Sequence, residues 1–119
     1  STQTIKILVV DDDPFTLGLM HHFLSDLGYS HITFAQGGMA ALTLIKDPAS
    51  FDLVISDLQM PDMDGIELLR ALKNIAYGGR LVLISGEDED IIRTAEQLAR
   101  AHGLRICVTV QTTPFCYPV

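Results

Sequence analysis

The chain is poor in positive charge, in cysteine and in long apolar runs, and each shortage closes off a class of function. Eight Lys and Arg stand against fifteen Asp and Glu in 119 residues, a formal net charge of −7. A balance of that sign argues against an electrostatic grip on nucleic-acid phosphates or anionic lipid, so neither is expected as a direct partner. The two cysteines, Cys107 and Cys116, are too far apart for a CxxC pair and have no histidine cluster at zinc spacing beside them, so they read as reduced. No apolar run approaches the roughly 18 residues of a membrane span, and no charged-plus-apolar leader opens the chain. The expected compartment is the cytoplasm. A chain of this length removes roughly two-thirds of its unfolded surface from water, which predicts one core and one domain over residues 1–119.

What is present is an alternation. Apolar runs of strand length at 5–10, 31–35, 53–56, 81–85 and 106–110 are each followed by a segment of helical periodicity, apart from the last. Three are nearly continuous Val, Ile and Leu, as in strands covered on both faces, which predicts a doubly wound, five-stranded parallel α/β sheet. Asp13 and Pro14 mark the start of a first helix and Gly28 its end, with Leu17, Met20, Leu24 and Leu27 expected on its inward face. A second helix is expected over about 38–46 with Leu42 and Ile45 inward. A third follows Gly65 with Ile66, Leu69 and Leu72 in register, and a fourth starts in the acidic run 87–90, carries Ile91, Ala95, Leu98 and Ala99, and stops at Gly103. After residue 111, Pro114 and Pro118 deny a fifth helix, so one face of the sheet should lack cover and a homodimer or exchanged element is expected.

Ligands of open parallel sheets sit outside the carboxyl ends of the strands, near the point where strand order reverses. Those ends carry Asp11, Asp12 and Asp13, then Ser56 and Asp57, then Ser85 and Gly86. With strand order 2-1-3-4-5, Asp11, Asp12 and Asp57 converge, and three converging carboxylates repel unless a cation joins them. Magnesium fits, because it takes oxygen ligands from one or two carboxylates and a phosphate while keeping several waters. Asp57 closes the central strand and is the candidate nucleophile toward a phosphoryl group. Ser85 could donate its hydroxyl to a phosphoryl oxygen, and the Gln59 carbonyl could reach the metal. Asp13 reads as a helix cap, His21 and His22 as a solvated pair, and Met60 and Met63 as loop packing.

The stretches ILVVDDDP at 7–14, DLVISDLQMPDMDGIELL at 52–69 and LVLISGE at 81–87 together resemble the response-regulator receiver domains of two-component signalling. The resemblance implies a flavodoxin-like sheet and phosphoryl transfer from a histidine kinase to Asp57. It implies direct magnesium ligation by Asp12, ligation through water by Asp11 and through its carbonyl by Gln59, and a switch hydroxyl at Ser85. The stretch LARAHGLRI at 98–106 further resembles receivers attached to cyclic-di-GMP phosphodiesterase modules of the EAL type. Two positions depart from the family: Thr113 stands where a lysine precedes the proline after strand five, and Val110 falls near the place of the switch aromatic. The tail after 111 therefore reads as truncated or atypical. The departures motivate an alternative, a degenerate receiver acting as a phosphorylation-independent interaction module. An aspartate-nucleophile phosphatase of the dehalogenase type fits less well, because it needs a second acid where Gln59 stands. No free-standing metabolic activity is expected.

Ten of the fifteen acids lie at 11–13, at 57, 62 and 64, and at 87–90, all near strand carboxyl ends. The remaining chain is slightly basic, with five acids against eight bases, so the net charge reflects one acidic rim on a basic scaffold.

Overall fold

Branched apolar residues in unbroken runs favour extended backbone and need cover on both faces, and the strands form where those runs occur. The computed structural model describes residues 4–85 and 89–111, and of 89–91 and 107–111 the backbone alone. The elements are β1 Ile7–Val10, α1 Pro14–Asp26, β2 Ile32–Ala35, α2 Gly38–Leu44, β3 Leu53–Asp57, α3 Gly65–Asn74, β4 Arg80–Ser85, α4 Glu89–Ala101 and β5 Arg105–Gln111. All strand pairings are parallel, in the order β2-β1-β3-β4-β5. This is the order expected from the sequence.

Two apolar layers flank the sheet. Leu8, Val10, Val54, Leu81 and Leu83 point to one side, where they meet Leu68, Leu69 and Leu72 of α3, Ala41 of α2 and Ala95 and Ala99 of α4. Ile7, Val9 and Ile55 point to the other side, where among the described residues α1 alone covers them through Leu17 and Leu24. Val82 and Ile84 face the same side and are only half-buried. Thr113, Pro114, Phe115, Cys116 and the rest of 112–119 lie outside the described residues, as do Gly86, Glu87 and Asp88 and the side chains of Ile91, Cys107 and Val110.

Three helix details differ from the sequence expectation. Leu27 is 56% exposed rather than inward, because α1 ends at Asp26 and the chain turns through Leu27 into Gly28 at φ 99°. The outer face of α1 instead carries Phe15 at 71% exposure, Leu19 at 55% and Phe23 at 60%, four residues apart and hence one continuous stripe with Leu27. The second helix stops at Leu44, two residues early: Ile45 turns to extended backbone and is buried in the larger core.

The two glycines of α1 and α3 sit in opposite environments. A methyl group on Gly18 would meet nothing within 4 Å, whereas one on Gly65 would lie 2.6 Å from the Cα of Leu58. In urea denaturation, Gly18→Ala should therefore stabilise the protein by about 0.5–1 kcal/mol through helix propensity. Gly65→Ala should cost about 1–3 kcal/mol, since backbone must shift to admit it. Equal midpoints for the two variants would contradict this packing.

Candidate functional site

The site is a consequence of register. Val10 lies opposite Ser56 across the β1–β3 ladder, so the residues that follow emerge side by side at the carboxyl end of the sheet. Asp11, Asp12 and Asp57 each place a carboxylate oxygen within 4.8 Å of the other two. The strands behind them are immobilised by burial: Ile7 to Val10 are at most 2% exposed. The carboxylates cannot relax apart without moving the core.

Their electrostatics record the crowding. Asp57 is pushed up to about 6, first by burial and then by repulsion from Asp11 and Asp12, against the opposing pull of backbone N–H groups. One of these, the Gln59 N–H, donates to Asp57 Oδ1 at 3.0 Å. Asp11 is also raised, chiefly by burial and further by Asp12 and Asp13, although the Asp13 N–H donates to its Oδ1 at 2.9 Å and works the other way. Two carboxyls are thus held above their ordinary range by desolvation and mutual repulsion. A divalent cation would relieve both, so the donor set fits a hard, oxygen-seeking ion.

The other acids of the rim do different work. Asp13 caps α1, accepting from the Phe15 N–H at 3.1 Å and the Thr16 hydroxyl at 2.9 Å. Asp64 caps α3 by accepting from the Glu67 N–H at 2.9 Å. Asp62 caps α2 from a distance, accepting from the Gly38 N–H at 3.2 Å and the Met39 N–H at 3.0 Å, which holds its carboxyl below the usual range. Sequence reasoning missed this last role, since the helix it serves lies more than twenty residues upstream and has Gly37 at its N-cap position, which offers no side-chain cap. Gly37 and Gly38 were the available signal: a Cβ on Gly37 would meet the Asp62 carboxylate at 2.7 Å.

Ser85 ends β4 and is fully buried, one residue beyond Ile84, the ladder partner of Asp57. Gln59 is exposed, and its loop is closed behind it by the Gly65 N–H donating to the Leu58 carbonyl at 2.9 Å. Met60 is buried in the larger core and Met63 packs against it, as loop packing predicts. His21 and His22 are both exposed on α1. The His21 ring meets Phe34 edge-on at 5.3 Å, and His22 lies 3.4 Å from Asp26.

Residues 7–110 match the family model described as the response regulator receiver domain. A probable chemotaxis protein CheY of Rhizobium etli is 31% identical over 112 residues, covering 92% of this chain and 86% of that protein. The rice two-component response regulator ORR21 (Oryza sativa subsp. indica) is 43% identical over 65 residues, 55% of this chain, and the match spans only 9% of that relative. A solved response regulator from Colwellia psychrerythraea superposes with a TM-score of 0.78 at 34% identity, covering 92% of this chain and 86% of its own. The Vibrio cholerae chemotaxis protein CheY4 superposes with a TM-score of 0.73 at 29% identity, covering 94% and 88%.

The raised carboxyl of Asp57 carries a stability signature with a definite sign. A carboxyl whose folded value exceeds its unfolded one favours the fold while protonated, and that contribution is lost as pH rises toward the folded value, here from about 3.8 to about 6. In EDTA at neutral pH, Asp57→Asn should raise the unfolding free energy by about 1–2 kcal/mol, a figure reduced for the group's partial exposure. The gain should shrink as pH falls from about 6 toward 4. A pH-independent difference in melting would contradict the crowded-carboxylate account.

Proposed function

We propose that this chain, which belongs to the response regulator receiver domain family, accepts a phosphoryl group on Asp57 from the phosphohistidine of a histidine kinase or phosphotransfer protein. The chain is a receiver domain of two-component response regulators, and phospho-accepting signalling is the activity of that class. The observation that carries the residue assignment is the convergence of Asp57 with Asp11 and Asp12 at the end of the central strand. Asp11, Asp12 and Asp57, with the Gln59 carbonyl, are the groups that would hold magnesium. When bound it supplies neutralisation of the charge that gathers on the transferring oxygens.

The chain's own residues divide the remaining chemistry. Asp57, ionised in most molecules at neutral pH with its carboxyl at about 6, attacks phosphorus through a carboxylate oxygen. A P–O bond forms as the histidine P–N bond breaks, and the imidazole, protonated on its other ring nitrogen before transfer, leaves neutral. The Gln59 N–H orients the carboxylate by holding Oδ1. The Ser85 hydroxyl, buried at the end of β4, donates a hydrogen bond to a phosphoryl oxygen of the product.

The partner that delivers the phosphoryl group would rest on α1. That helix starts at Pro14, directly after the acidic cluster, and its outer stripe of Phe15, Leu19, Phe23 and Leu27 bears no charge of its own. An apolar stripe at helical spacing is suited to a partner helix; a second copy of this chain, forming a homodimer, is the competing occupant. The reading extends to a cytoplasmic protein that acts on an output module, with an EAL-type module supported by residues 98–106. Among the described residues no helix is long and apolar enough to cross a membrane.

With magnesium and acetyl phosphate, intact mass should rise by one phosphoryl group, and neither EDTA-treated protein nor Asp57→Asn should show the addition. Labelling that persists in Asp57→Asn sinks the site assignment. Absence of labelling at saturating magnesium, with partner binding unchanged in Asp57→Ala, would instead favour the phosphorylation-independent module suggested by Thr113.

A second prediction separates docking from chemistry. Leu19→Glu with Phe23→Glu should slow transfer from a phosphorylated phosphotransfer protein about tenfold or more, the loss of one well-packed apolar contact or greater. Labelling by acetyl phosphate should be unchanged. Equal slowing of both reactions would show damage to the site rather than loss of a docking face.

A further inference from the structure

At the opposite end of the sheet, where the strands begin, the charge is reversed. β4 and β5 open on Arg80 and Arg105, which are in register across the ladder and both exposed. Among the described residues neither guanidinium pairs with a carboxylate. Like charges side by side on neighbouring strands repel. These two border a cavity of about 450 Å³ whose wall also includes Pro48, Phe51, Asp52 and Gly79.

We propose that this cavity binds a phosphate-bearing small molecule of mononucleotide size, with the two guanidiniums on the phosphate and the Phe51 ring against its base. Paired guanidinium forks match phosphate geometry and would have their mutual repulsion relieved by it. The volume lies within the range of small-molecule sites, roughly 300–1,000 Å³. Phe51 is half-buried and packs against the larger core, so its ring is held rather than free. Gly79 makes that wall bare main chain: a side chain there would collide with the Tyr77 hydroxyl and, at 2.8 Å, with the Asp52 carbonyl. Among the described residues the Gly79 N–H has no acceptor, which leaves a further donor on the cavity wall.

Asp52 decides between a bare anion and an ester. Its Oδ2 accepts the Lys6 N–H at 2.8 Å and its carbonyl accepts the Arg80 N–H at 3.0 Å, so the side chain is fixed at the cavity. A carboxylate there repels inorganic phosphate but accepts a hydrogen bond from a sugar hydroxyl or an amino group. The preferred ligand therefore carries both an anion and a donor-bearing ring system. The site is independent of Asp57, from which Asp52 is separated by roughly 16 Å of β3.

The test is an amide-resolved NMR titration of the full chain with AMP, adenosine and inorganic phosphate, in EDTA so that the acidic end holds no metal. AMP should shift the amides of Gly78, Gly79 and Arg80 saturably. Adenosine and phosphate should each bind about tenfold or more weakly, and Arg80→Gln with Arg105→Gln should weaken AMP by a similar or larger factor, the loss of charge-assisted hydrogen bonds. No shift at millimolar AMP, shifts confined to the Asp11 and Asp57 end, or AMP binding unchanged in the double variant would overturn the site. Inorganic phosphate binding as tightly as AMP would overturn the mononucleotide assignment. Acetyl phosphate labelling of the double variant should remain intact, so failure here is distinct from failure of the Asp57 reading.

Discussion

Repulsion among three carboxylates that the sheet will not let separate is the constraint on which the rest depends. Asp11 and Asp12 follow a strand buried on both faces, and Asp57 belongs to the strand beside it, so their spacing is set by the β1–β3 register and not by their own preference. The degree of burial matters as much as the closeness. A fully desolvated Asp57 would be protonated at neutral pH and could not act as a nucleophile, whereas a solvated one would have little need of a cation. At about 6 it remains largely ionised yet is held at a cost, the condition in which a bound cation would stabilise the fold.

The acidic rim therefore contains two populations. Asp13, Asp62 and Asp64 satisfy orphan N–H groups at the starts of α1, α2 and α3. These caps hold in place the loops that surround the other three. The Asp62 contact in particular ties the loop after β3 to the start of α2, while the Gly65 N–H closes that loop on Leu58. Asp11, Asp12 and Asp57 cap no helix and converge on one another. Residue type does not distinguish the two groups. What does is whether a helix N-terminus lies within reach of the side chain.

The sheet was legible in the sequence because its strands are buried on both faces and so read as unbroken Val, Ile and Leu, and the three site carboxylates were legible because they sit at the ends of those runs. The end of α1 was not: Leu17, Met20 and Leu24 face the sheet as their spacing predicts, but Leu27 falls past Asp26, the last helical residue, and is exposed. The early end of α2 was hidden for a related reason: Ile45 continues the helical periodicity, but the core position it fills is reached from extended backbone. Asp62 and the Arg80 and Arg105 pair depend on contacts across the chain, and no local pattern encodes strand register.

Parallel strands with antiparallel helices gather helix N-termini at one end of the sheet and C-termini at the other, and the charges follow that polarity. Acids cap the first end, while Lys73 and Arg100 occupy the last turns of α3 and α4 at the second. The macrodipoles account for those charges. They do not account for Asp11, Asp12 and Asp57, which crowd beyond what any cap needs, nor for Arg80 and Arg105, which begin strands and face no helix carbonyl in the contacts described. The excess at each end is the part of the charge pattern that a ligand would relieve, a cation at one end and an anion at the other. Because roughly 16 Å of β3 separates them and the screening length at physiological salt is about 8 Å, solvent-exposed charge at one end is largely screened from the other. Occupancy of the arginine cavity would therefore leave the electrostatics of Asp57 largely unchanged.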